Sequence, residues 1–359
     1  MKRIFSVILV LILSSFVFAQ NTTIQQKPLT QAEYVKMLYD VQKNPGSVED
    51  LIEAVRKRGI GFELTDGIRG LTRTKGANNE ELKRALEEAE RRRQNPATAK
   101  LPSQKESEEI LERTKQNTLE AIKEMPDFVV KQLIGRSEAY AGTNNWKPYD
   151  NLIIAVSYSE EKGEEYRVLA VNGTRINAEK GSNYNGLDGS TTRGEFIEDL
   201  ERVFKAESKT KFNIVDTDVV RTRKAVVFDY EINIENNKNG GIGLKGAMYD
   251  AVPTGQKGRI WIDRENFRIL KLQYQATDLP ATFPVKAFTT SIDYDWVVIA
   301  DQKYLLPISS DARFTALADR TLFQTRNLIR FKDYQKYGSE VKILDGDEVE
   351  VKDDEKPSN

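Results

Sequence analysis

The sequence predicts an α+β chain: a small N-terminal helical module, then a strongly curved antiparallel β-sheet, a half-barrel, wrapped around one helix. Three observations lead there. Apolar residues recur at helical spacing through residues 30–93, each stretch opened by a capping residue. From Asp127 the period switches to two, in closely spaced strands joined by tight turns such as Asp263-Arg264-Glu265-Asn266. The strands present more apolar face than the single helix among them can cover.

The first helical stretch opens on Thr30-Gln31-Ala32-Glu33 and the last on Asn78-Asn79-Glu80-Glu81, both in the capping-box pattern, and Ser47 with Asp50 marks a similar start. Val48, Leu51, Ile52 and Val55 form one stripe, and Leu82, Ala85, Leu86 and Ala89 another. Gly59 and Gly76 stand where helices stop. These residues make up a helical module over 20–95. Residues 96–125 read as a linker and one polar helix, Ser107 to Glu124, stopped by Pro126. The Arg91-Arg92-Arg93 run reads as a solvated helix end that complements the helix dipole.

Over 126–344 the strands read as 152–158, 165–171, 226–232, 258–263, 267–276, 286–298, 304–308 and 321–331, with one helix, Gly194 to Lys205, among them. A 12-residue helix is about 18 Å long and shields about four strands at 4.8 Å spacing. The sheet must therefore curl, be covered by other helices, or keep an apolar cavity. Long Gly- and Asn-rich loops run from Asn177 to Arg193 and from Glu235 to Lys257. Residues 345–359 read as an acidic, disordered tail.

Composition removes most catalytic designs. The 359 residues hold 54 basic and 55 acidic side chains, 39% hydrophobic residues, no Cys and no His. Without imidazole or thiol there is no Ser-His-Asp or Cys-His nucleophile system and no Cys/His zinc site. A near-neutral charge gives no footing for nucleic acid. Residues 1–19, with Lys2 and Arg3 ahead of an apolar run and Val17 and Ala19 before the cut, read as a secretory signal peptide. The run Ile4 to Leu13 is about half of what spans a bilayer, and no later segment is apolar enough to cross one. An exported protein, soluble in the periplasm or cell envelope after signal cleavage, is expected.

The segment GRIWIDRENFRILKLQYQ, Gly258 to Gln275, resembles the paired strands with a central Trp-x-Asp and a following turn of the periplasmic lipoprotein-carrier superfamily, the LolA-like half-barrels. NLIIAVSYSEEKGEEYRVLAVNG before it and YLLPISSDARF after it resemble uncharacterised exported proteins of acidobacterial-type bacteria. The stretch from Ser47 to Ala89 is similar to a helical module attached to envelope proteins in those lineages. The resemblance implies an eleven-strand-like sheet curved around a helix, with a concave apolar face that holds acyl chains.

Other motifs weigh less. Gly241-Ile242-Gly243-Leu244-Lys245-Gly246 matches G-x-G-x-x-G, but the six residues before Pro253 cannot hold the helix that a dinucleotide site needs, so a loop is expected. The pairs Asp216 with Asp218 and Asp293 with Asp295 read as solvated strand edges rather than catalytic or calcium-binding carboxylates. Asp345-Gly346-Asp347-Glu348 is half a calcium loop. Trp146, Trp261 and Trp296 read as strand aromatics. No catalytic, metal or cofactor residue is assigned. The expected function is non-catalytic: binding or carrying an apolar ligand, a lipid or a lipidated envelope protein, on a face lined by Leu152, Ile154, Val156, Val226, Phe228, Tyr230, Leu270, Leu272 and Tyr274. The alternative is an envelope scaffold or interaction protein with no small-molecule ligand, its apolar face closed by the N-terminal helices.

Overall fold

A computed structural model describes residues 27–338 of the chain apart from 77–78, 95, 97–99, 144, 177–183, 239 and 244–251. The expected signal peptide, the acidic tail with Asp345–Glu348, and half of the G-x-G-x-x-G run lie outside the described residues.

Four helices open the chain: α1 (Gln31–Lys43), α2 (Val48–Arg58), α3 (Asp66–Lys75) and α4 (Glu80–Gln94). Thr30 closes the expected capping box on α1, its hydroxyl accepting from the Glu33 amide at 3.2 Å while the Glu33 carboxylate accepts from the Thr30 amide at 2.8 Å. Two other caps differ from expectation. Asn79 rather than Asn78 caps α4 by accepting from the Leu82 amide at 2.9 Å. The Ser47 hydroxyl donates back to the Asn44 carbonyl, so α2 starts without a side-chain cap. Gly59 ends α2 at φ +68°, where a Cβ would be strained. The apolar stripes meet in a core of their own around Leu38, Leu51, Val55, Leu82 and Leu86.

The rest of the chain builds an eleven-stranded, wholly antiparallel sheet. Its strands are β1 (Phe128–Tyr140), β2 (Lys147–Ser159), β3 (Gly163–Val171), β4 (Thr174–Arg175), β5 (Lys211–Val220), β6 (Arg223–Ile232), β9 (Gly255–Asp263), β10 (Ile269–Thr277), β11 (Val285–Ile299), β12 (Gln302–Ala318) and β13 (Thr321–Lys336). Two short strands, β7 (Gly241–Ile242) and β8 (Val252–Pro253), form a separate hairpin. The spatial order is β4-β3-β2-β1-β13-β12-β11-β10-β9-β6-β5, so the first and last strands pair in the middle and the sheet stays open at β4 and β5. It is a curved half-barrel.

That order dictates what fills the curve. β4 and β5 follow each other in the chain yet lie at opposite edges, so the segment joining them has to cross the sheet. It crosses the concave face. Tyr184, Phe196 and Ile197 pack there on Phe128, Ile154, Val168 and Ile329, and Leu200, Val203 and Phe204 pack on Val226, Phe228 and Ile260. Helix α6 within it is only Glu198–Phe204, shorter than the expected 194–205, because Glu195, Phe196 and Ile197 form a turn that buries their side chains. The missing cover comes from α5 (Gln104–Lys123), the helix expected over 107–124, which is about 30 Å long and lays Ile110, Leu111, Leu119 and Ile122 into the same core. Two helices, rather than one, occupy the curve.

The four N-terminal helices lie on the other, convex side, with α4 against β5. They do not close the concave face, as the scaffold alternative expected.

Candidate functional site

Alternation along each strand sorts the nine expected ligand-face residues. Leu152, Ile154 and Val156 on β2, Val226, Phe228 and Tyr230 on β6, and Leu272 and Tyr274 on β10 point into the concave cores. Leu270 does not. A bulge sets Leu270 and Lys271 together opposite Trp261, so Ile269 joins Leu272 in the concave core and Leu270 turns to the convex cluster with Trp261 and Val227. Of the eight, all but Tyr274 are buried beneath α5, α6 and the crossing segment.

The accessible part of this face is a band of rings near its rim. It runs from Phe212 on β5 through Tyr230 on β6, Tyr274 on β10, Phe288 on β11 and Phe314 on β12 to Phe323 on β13 and Tyr140 on β1. Ring centroids lie 6.2 Å apart for Phe212–Tyr230, 5.9 Å for Tyr274–Phe288, 4.5 Å for Phe288–Phe314 and 5.0 Å for Tyr140–Phe323. Tyr140 is exposed and the others, Tyr230 apart, are half-buried. The band was missed in the sequence because its members scatter over seven strands; the cue was one aromatic per strand near the rim. A separate recess of about 590 Å³ lies on the convex side of strands β5 to β11, where Lys211, Asp229, Glu231, Lys257 and Arg259 alternate with these rings and point away from the band.

On β9 the band passes over Gly258, between Tyr230 and Tyr274. A Cβ there would overlap the Gln273 carbonyl oxygen of β10 and stand 2.8 Å from the Tyr230 ring and 2.8 Å from the Tyr274 Cβ. Gly258→Ala is therefore expected to cost about 1–3 kcal/mol by overpacking and to shift both rings, read as a lower urea midpoint with altered tyrosine emission.

Beside the band the crossing segment is fastened by polar contacts. Arg136 on β1, 4% exposed, forms a two-pronged pair with Asp150 at 2.6 and 2.5 Å and donates to the carbonyls of Asp188 at 2.5 Å and Ser190 at 3.3 Å. Asn327 donates to the Ser190 carbonyl at 3.0 Å, and the Ser190 hydroxyl donates to Asn327 Oδ1 at 3.0 Å.

Further along, the same segment places carboxyls in the interior. Burial raises the Glu195 carboxyl to about 7, and neither of its oxygens has a hydrogen-bond partner. Burial likewise raises Glu164 on β3 to about 8; its Oε2 accepts from the Tyr166 hydroxyl at 2.5 Å and the Gly194 amide at 3.3 Å, while Oε1 is unpartnered. Asp199 is raised by burial too, and is held by Arg202 at 2.6 Å and Tyr274 at 3.0 Å.

The remaining motifs resolve as structure. Asp216 and Asp218 are buried under the helical layer rather than solvated: Asp216 pairs with Arg92, and Asp218 accepts from Trp261 Nε1 at 2.8 Å. Of the expected solvated arginines, Arg92 is thus a clasp, while Arg91 and Arg93 pair with Glu88 and Glu90. Asp293 and Asp295 flank Arg221 at 3.5 and 3.3 Å. Among the described residues no cluster of three or more His, Cys, Asp or Glu forms a metal site, and no helix is long and apolar enough to cross a membrane.

By sequence the chain matches no protein-family profile and no curated protein. By structure it is similar to a putative outer membrane lipoprotein-sorting protein domain from Vibrio parahaemolyticus, with 13% identity over 64% of this chain and 93% of that one at a TM-score of 0.33. It is similar to a LolA superfamily protein from Nitrosomonas europaea, with 11% identity over 65% and 96% at 0.24. It also resembles a DUF1329 family protein from Desulfovibrio piger, with 10% identity over 64% and 95% at 0.28. All three are distant likenesses of fold at low TM-scores.

Proposed function

We propose that the protein is a non-catalytic, exported cell-envelope protein that binds or carries an apolar or amphiphilic ligand, a lipid or a lipidated partner, along the concave face. The observation that carries this reading is the aromatic band, a row of rings on seven strands that, Tyr230 apart, stay at least half-exposed while most of the rest of the face is sealed. An acyl chain on such a strip gains about 0.8 kcal/mol for each methylene buried. Six of the nine residues first expected to line the ligand site, Leu152, Ile154, Val156, Val226, Phe228 and Leu272, become a floor beneath the helices and the crossing segment.

The second reading, an envelope scaffold without a small-molecule ligand, draws support from that sealing, since the chain's own side chains fill most of the curve. One titration separates the two. A dansyl-labelled fatty acid is expected to bind the full chain, and Phe314→Ala with Phe288→Ala is expected to weaken it roughly tenfold or more, from two lost ring contacts at about 0.5–1.5 kcal/mol each beyond area. A probe that does not bind, or binds equally to the double variant, favours the scaffold.

A further inference from the structure

Where the crossing segment meets the concave face it buries two carboxyls without a counter-charge, Glu195 of its own and Glu164 of β3. We propose that ionisation of Glu195 and Glu164 releases residues 184–204 from the concave face, so that the ligand groove lengthens as pH rises. The proposal rests on the reading of this face as a ligand site, and it names how access to that site is regulated.

The geometry is that of a latch closed by protons. Glu195 is 2% exposed and both its oxygens lack partners, with the Thr192 hydroxyl, itself without a well-formed partner, beside it. An ionised carboxylate in such a place forfeits hydration that the Thr192 hydroxyl only partly replaces, whereas the neutral acid forfeits far less. Glu164 faces it from β3 and is the acceptor for the segment's own Gly194 amide, so the second acid sits at the point where the segment meets the sheet.

Hydrogen bonds give only partial relief: the Thr192 hydroxyl favours ionised Glu195, and the Tyr166 hydroxyl and Gly194 amide favour ionised Glu164, each by less than burial opposes it. From the segment itself, Glu198 and Asp199 add negative charge near Glu195. From β11 the Tyr294 hydroxyl donates to the Glu195 carbonyl at 3.3 Å rather than to its carboxyl. Tyr166 on β3, Tyr184 and Tyr334 on β13 complete the enclosure, and burial raises all three phenols, so they stay neutral. The cations nearby are engaged: Arg193 lies over the Tyr166 and Tyr184 rings, Arg136 pairs with Asp150, and Arg202 pairs with Asp199.

The direction follows from proton binding. Once released into water, both carboxyls return to their ordinary value of 4.5, so the closed form holds more protons than the open one. Closure is fully favoured below that value and weakens progressively as pH rises through about 7 for Glu195 and about 8 for Glu164. Between pH 5.5 and 8 the open-to-closed ratio is expected to rise about 30-fold from Glu195 alone, and further with Glu164.

The chain has no cysteine, so nitroxide labels can be placed singly. Labels at Asp188→Cys and Asp319→Cys, on the segment and on the β12–β13 turn, report the gap by pulsed electron resonance on the full chain without any ligand. A long-distance population that grows from pH 5.5 to 8, and that vanishes in Glu164→Gln with Glu195→Gln but persists in the outward-facing control Glu165→Gln, is the expected result. A distance distribution that does not change with pH, or that changes equally in the Gln pair, overturns the proposal. The dansyl fatty acid titrated in parallel separates the two ideas. Distances that respond while the probe fails to bind uphold the latch and sink the ligand reading; a probe that binds while the distances stay fixed does the reverse.

Discussion

Trp261→Ala is expected to lower the unfolding free energy by about 3–5 kcal/mol, among the largest effects of any single substitution in this chain. Trp261 lies on β9, fully buried, at the centre of the contact between the helical layer and the convex face. Its Nε1 donates to Asp218 at 2.8 Å; the Arg56 guanidinium stands 5.8 Å above the ring and the Lys271 ammonium 5.5 Å from it. Around that ring runs a charged clasp. Arg56 pairs with Glu81 at 3.0 Å, Arg92 reaches Asp216 and donates to the Thr217 carbonyl at 2.8 Å, and the Thr217 hydroxyl donates to Glu88 at 2.8 Å. Truncation leaves a cavity, an Asp218 carboxylate short of a donor, and two cations without their ring. Trp261→Phe keeps an aromatic face but loses the Asp218 bond and the second ring of the indole, so a smaller cost of about 1–3 kcal/mol is expected. Urea unfolding followed by circular dichroism reads both; a midpoint unchanged in Trp261→Ala would mean that the helical layer is not fastened at this point.

Most of the sheet was legible because it obeys one rule, and the exceptions break that rule for identifiable reasons. Leu152, Ile154 and Val156, like Val226, Phe228 and Tyr230, alternate cleanly and point where alternation says. Leu270 fails because a bulge is invisible to a period of two. β1 was not delimited as a strand: Lys131, Gln132 and Arg136 interrupt its apolar run, yet all three are buried, Lys131 against Asp333 at 2.8 Å and Arg136 against Asp150. β12 is far longer than the expected 304–308 because its outer half carries Ser, Asp and Arg on the convex side, where Asp311 pairs with Arg313 and Arg326. The hairpin turns Arg221-Thr222, Ala300-Asp301 and Asp319-Arg320 adopt positive φ at both residues without a glycine to announce them. The ligand site was half legible for a related reason. Alternation finds the residues that point inward, but which of them stay accessible depends on the route from β4 to β5, and that route follows from pairing partners that no local pattern encodes.

That route makes Arg136 the residue whose loss should open the concave face. Arg136→Ala removes a fork that holds Asp150 with two bonds and the crossing segment with two more, at the Asp188 and Ser190 carbonyls. Breaking a buried pair by deleting one partner costs about 3–5 kcal/mol, because the other charge is left without compensation. Part of that cost falls on the segment rather than on the sheet. Gly189, at φ +83°, lies so close that a Cβ there would meet Arg136 Nη1 at 2.9 Å, so this stretch of backbone is shaped to the guanidinium and has no equivalent seat without it. The bonds that remain, from Asn327 to Ser190 and from the Thr325 hydroxyl to the Ser190 hydroxyl at 2.9 Å, are neutral and roughly half as strong. The expected outcome is therefore double: a lower urea midpoint, and a dansyl fatty acid signal that rises several-fold as Leu152, Ile154 and Val156 become reachable. Arg136→Lys keeps the charge but not the planar fork, so it should recover less than half of the lost stability and leave the probe signal raised. Asp150→Asn, which spares the two carbonyl contacts, should lower stability without raising probe binding. An Arg136→Ala protein that loses stability yet binds no more probe would mean that the segment is held by its apolar side chains, Phe196 and Ile197 foremost, and that Arg136 serves the sheet alone.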